Sequence, residues 1–153
     1  MRKKQIGYLG GLVLVMVTAA ITTLAQPKPD LMITRFQVSQ DAGGLVTKLV
    51  VKVTNVCTAD AGASYVLVTF KESAAGKPIH EVGNTVPPLK AGESSIQSFS
   101  MNGFKVSANT HILVEADVYK KVPEATEDNN WWTVNPSGHP PKLSGSFQCS
   151  PKM

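Results

Sequence analysis

The side chains most able to do chemistry crowd into one late stretch. Asp117, Glu124, Glu127 and Asp128 stand beside Asn129 and Asn130. Carboxylate and amide oxygens grouped in this way are what calcium takes, roughly six to eight at a time. Lys120 and Lys121 fall inside the same stretch, where their charges oppose a cation, and the spacing of an EF-hand is absent. Acidic and Asn side chains ahead of a strand also bond nearby backbone N–H groups and close turns. Capping is therefore expected of this cluster, with no metal and no cofactor.

Hydrolytic chemistry finds little support. His80, His111 and His139 are scattered, and neither a Gly-x-Ser-x-Gly elbow nor a His-Glu-x-x-His helix occurs. Glu81 follows His80, but neighbours in a strand point to opposite faces, so it is badly placed to orient that ring. Ser107 is the serine a nucleophile hypothesis would test, and no catalytic residue is assigned. Trp131 and Trp132 are adjacent. Trp132 shares parity with Val134 and is expected inside; Trp131 is then outside, as a partner contact, a sugar-stacking platform, or a ring covered by the Pro-rich C-terminus. A carbohydrate- or calcium-binding sandwich stays open as an alternative.

The first residues set the compartment. Arg2, Lys3 and Lys4 precede an apolar stretch to about Ala20 and a small-residue exit ending at Ala25. This is the order of a signal peptide, residues 1–25, with cleavage expected after Ala25 and a second candidate after Ala20. Retained, the segment would be a membrane anchor and the only membrane contact. The same three cations carry most of the charge: fifteen Lys and Arg face eleven Asp and Glu, and without those three the balance falls from +4 to +1. A nucleic-acid binder, which needs a basic face, is disfavoured. Export, periplasmic or extracellular, also makes Cys57 and Cys149 a disulfide pair, and no His pair at ligand spacing offers zinc instead.

The elements that must hold these residues are short strands. With 42% hydrophobic and 17% charged residues, the 153-residue chain has the composition of one folded domain. Leu31 and Ile33 alternate, then Phe36 and Val38 alternate after a change of phase, which predicts a bulge. Leu49, Val51 and Val53 define one face of a strand over residues 47–55. Further runs cover residues 64–71, 79–82, 94–101 (carrying Ile96), 111–119 and 131–134, separated by turn-forming Gly, Pro, Asp and Asn. About seven short strands without a helical period predict an all-β, antiparallel immunoglobulin-like sandwich. Residues 135–153 read as an irregular tail. The final strand should run away from the Cys57 end, so the tail must travel back for Cys149 to meet Cys57.

Several motifs in order resemble the CARDB family, cell-adhesion-related domains found in bacteria. They are Pro29-Asp30-Leu31 with Ile33, then the V-K-V-T-N run ending at Asn55 with Ala61-Gly62. After them come the V-P-P-L-K-A-G-E run ending at Glu93, Ala116-Asp117, Val122-Pro123-Glu124, and Glu127-Asp128-Asn129-Asn130. Cys57 stands where that family usually has Gly. The resemblance implies a sandwich over residues 26–134 in an exported bacterial protein and names no ligand. A binding or adhesion module contacting a protein or cell-surface component is expected, with a structural subunit of an extracellular assembly as the alternative. The loops at one end should carry the partner surface, with Asp60, Lys120, Lys121 and Trp131 as its candidates.

Overall fold

The computed structural model describes residues 26–107, 109–135 and 139–143. Eight strands follow one another: β1 (Leu31–Gln40), β2 (Leu45–Asn55), β3 (Ser64–Lys71), β4 (Pro78–Val86), β5 (Ser94–Lys105), β6 (His111–Glu115), β7 (Trp131–Asn135) and β8 (His139–Leu143). They form two antiparallel sheets, ordered β1-β2-β5 and β4-β3-β6-β7-β8. The expected signal peptide and Cys149 lie outside the described residues.

The core lies between the sheets. Leu31, Ile33, Leu49, Val51 and Val53 from one sheet meet Val66, Val68, Phe70, Ile112 and Val114 from the other, all of them buried. Alternation along the strand is what places them there, because every second side chain of a strand shares a face. The change of phase in β1 is a register shift between Ile33 and Arg35, and it lets Phe36 and Val38 resume packing on the core.

Several elements differ from the sequence expectation: the strands expected over 79–82 and 94–101 run on to Val86 and Lys105, and three further differences have a physical cause. The strand from His111 stops at Glu115, not at residue 119, because Asp117 adopts a φ of 45° and turns the chain. In β5 the expected apolar position Ile96 is 64% exposed, while Gln97 is buried. Gln97 can be inside because its amide is satisfied: Oε1 accepts from Asn84 Nδ2 at 2.9 Å and Nε2 donates to Ser95 at 2.8 Å. The segment read as an irregular tail contains β8, which pairs with β7 and brings the chain back so that Leu143 lies opposite Trp132. Pro140 and Pro141 sit in this strand, at the margin of the sheet. Proline cannot donate to a ladder and is tolerated at such an edge.

Candidate functional site

The end of the sandwich where β1 begins and β2 ends gathers most of the singled-out residues. Leu31 is paired with Asn55 there, and both the loop after β2 and the loop before β7 converge on it. Asn55 is wholly buried. Its Oδ1 accepts from the backbone N–H groups of Asp30 at 3.2 Å and Cys57 at 3.4 Å, and its Nδ2 donates to the carbonyl of Ala59 at 2.7 Å. A single amide thus shapes the turn that carries Cys57, itself buried.

The acidic stretch is built into this end as structure. Asp117 receives the N–H of Lys121 at 3.1 Å on one oxygen and that of Val122 at 2.7 Å on the other. Glu124 receives the N–H of Leu31 at 2.7 Å and Asn130 Nδ2 at 3.0 Å. Glu127 receives the N–H of Glu124 at 3.2 Å. Asp128 is exposed. Three of the four residues weighed as calcium ligands therefore use carboxylate oxygens to hold backbone N–H groups. Burial pushes the Glu124 carboxyl up to about 8; the Leu31 N–H opposes that rise, and Asp30, Asp117 and Glu127 add to it. Asp30 is raised for the same first reason, with the amide of Asn129 pulling the other way. Among the described residues no group of three or more His, Cys, Asp and Glu side chains is arranged to hold a metal ion.

Sequence reasoning missed Asp30 as a site residue. It is fully buried and takes Asn129 Nδ2 on both oxygens. Its signal was available only as a motif letter beside Pro29, since an Asp after Pro ordinarily reads as a solvent-facing turn residue.

The outer face of the five-stranded sheet carries the aromatic residues. Glu115 lies across from Leu67 on one side and Trp131 on the other. Trp131 is 37% exposed, whereas Trp132 packs against the core, as their alternation requires. Tyr119 is exposed and rests on Tyr65 with ring centroids 5.2 Å apart, while Lys121 Nζ stands 5.9 Å from the Tyr119 ring. Gly83 permits this packing: a Cβ there would lie 2.5 Å from the Tyr65 ring. Asp60 belongs to the loop after β2 and caps Ala91 N–H at 3.1 Å. His80 is exposed against Phe104, at 4.8 Å between rings, and the Ser107 hydroxyl pairs with Thr110 at 3.3 Å.

Two antiparallel sheets closed over one core, with polar loops gathered at an end, define the class of immunoglobulin-like sandwiches. The CARDB family model matches residues 28–134, and the chain belongs to that family. Two solved domains share the fold. One, from a cell surface protein of Methanosarcina acetivorans, is 20% identical, with a TM-score of 0.55 over 69% of this chain and 88% of that one. The other is a CARDB domain from Pyrococcus furiosus, in complex with di-metal ions. It is 19% identical, with a TM-score of 0.51 over 72% of this chain and 93% of that one. A search among curated proteins gave no match.

Proposed function

We propose that this chain is an exported, non-enzymatic binding module that contacts a protein or cell-surface component through the β1-start end of the sandwich and the adjoining outer face. The observation that carries this is the exposure of Trp131 and Tyr119, with Lys121 over the Tyr119 ring and Lys120 sharing a pocket with Trp131; Asp60 is exposed on the loop after β2. Large aromatic side chains left partly in water contribute heavily when a partner covers them. Membership of a family of adhesion-related domains supports the same reading, as does an acidic stretch in which Asp117, Glu124 and Glu127 each hold a backbone N–H group. The test is retention of a partner from envelope extract by the full chain and by Trp131→Ala with Tyr119→Ala, at equal melting temperature. Equal retention by both would refute the surface.

A further inference from the structure

A pocket of about 180 Å³ opens beside Trp131, where the end loops meet the outer face of the five-stranded sheet; Glu115, Asp117, Lys120, Glu127 and Asn130 share its lining. The lining is unequal in chemistry. The Asp117 carboxylate is filled by two backbone N–H groups, and one Glu127 oxygen takes the N–H of Glu124. Among the described residues, nothing donates a hydrogen bond to the second Glu127 oxygen or to the half-buried Glu115 carboxylate. Asn130 is 7% exposed and gives its Nδ2 to Glu124; its Oδ1 is shut off from solvent and has no donor among the described residues. A pocket that offers acceptors and an aromatic wall, and has acids outnumbering its single cation, is short of donors and of positive charge.

We infer that this pocket receives the ammonium group of a lysine side chain from the partner, its methylene stem lying along Trp131 and its N–H groups meeting Glu115 and Glu127. The inference rests on the proposed binding function and specifies its chemistry. A primary ammonium supplies three donors and no acceptor, which matches the lining. Its charge is attracted by the indole face and by the carboxylates, whose bonds to an ionised donor are the stronger kind. Burial raises the Glu115 carboxyl above its ordinary value; Lys71 pulls it down, Glu81 adds to the rise, and an incoming ammonium would pull it down further. Lys120 is exposed and lies on the same pocket, so it competes with an incoming ammonium.

The test is an NMR titration of the full chain with Nα-acetyl-lysine amide, following the Trp131 indole N–H. Saturable binding is expected, weakened about tenfold by Glu115→Gln or Trp131→Leu, which is about 1.4 kcal/mol, and strengthened severalfold by Lys120→Gln. Butylammonium should compete, and Nα-acetyl-glutamine amide should not bind. Circular dichroism of each variant checks that it is folded, and the Lys120→Gln gain cannot come from misfolding. No saturable shift, equal binding of the glutamine probe, or saturation by glucosamine or calcium alone would overturn the inference. Partner retention without lysine binding defeats this inference and leaves the proposed function standing; lysine binding without a Trp131-dependent partner does the reverse.

Discussion

Asn129 Nδ2 lies 3.0 Å from each carboxylate oxygen of Asp30, a residue 99 positions earlier in the chain. With Glu124 bound to the Leu31 N–H, this contact fastens the loop before β7 to the first residues of β1. Ala125 N–H reinforces the join by donating to Pro29 O at 2.8 Å.

Removing the Asn129 amide leaves a buried carboxyl with one partner fewer. Asn129→Ala is expected to lower unfolding stability by about 1–3 kcal/mol, the cost of an unsatisfied buried polar group. Asp128→Ala, on the exposed neighbour, should change it by less than about 0.5 kcal/mol. Urea unfolding of the two variants measures the difference, and equal losses would mean that the Asp30 contact contributes little.

Stability should fall as pH rises through the range set by Glu124. Its carboxyl is raised from 4.5 to about 8, so between those values the folded chain holds a proton that the unfolded chain has released. The contribution is therefore complete below pH 4.5 and is lost as pH climbs through about 8. Asp30, also raised, acts in the same direction. Glu124→Gln, permanently neutral, should flatten this slope and exceed the native chain in melting temperature on the alkaline side. Melting curves across the range check it; an unchanged slope would place the responsible proton elsewhere.

Gly83 is expected to tolerate no side chain. A Cβ would approach the Val66 carbonyl to 2.7 Å as well as the Tyr65 ring, and a backbone oxygen in a paired strand cannot step aside cheaply. Gly83→Ala should cost about 1–3 kcal/mol, in the range of overpacking, and should disturb the Tyr65–Tyr119 pair. Gly62→Ala, with no atom within 4 Å of its Cβ, is the control. Thermal unfolding together with the tyrosine ring resonances reports both effects.

The sandwich was legible because burial in strands leaves a period of two, and Leu49, Val51 and Val53 display it without interruption. Ile96 and Gln97 defeat the same rule: polarity decides burial only while no partner is at hand, and Asn84 supplies one from another strand. The turn at Asp117 escaped because alternation continues through Val118 in the sequence although the backbone has already left the sheet. β8 escaped because its two prolines speak for a loop, and only the edge position makes them compatible with a strand. The acidic stretch showed its capping role but not its depth. Burial of Asp30 depends on Asn129, and no local pattern connects residues so far apart.

The remaining prediction joins Cys57 to Cys149. β7 runs away from the Cys57 end, and β8 returns along it to place Leu143 opposite Trp132, one residue from where β7 begins. The chain therefore reaches Leu143 at the end of the sandwich that carries Cys57, and six further steps lead to Cys149. Six residues extended span roughly 20 Å, enough to cross the end of two sheets packed about 10 Å apart. Cys57 is buried at that end, its N–H held by Asn55. A bond between the two would close a loop of 92 steps, worth about 4–5 kcal/mol by the chain-entropy model, less any strain. Non-reducing peptide mapping of the protein purified from oxidising conditions should recover the two cysteine peptides as one species, and reduction should lower the melting temperature. A free thiol at Cys149, or a dimer linked through either residue, would refute the intramolecular bond and favour a covalent assembly of chains.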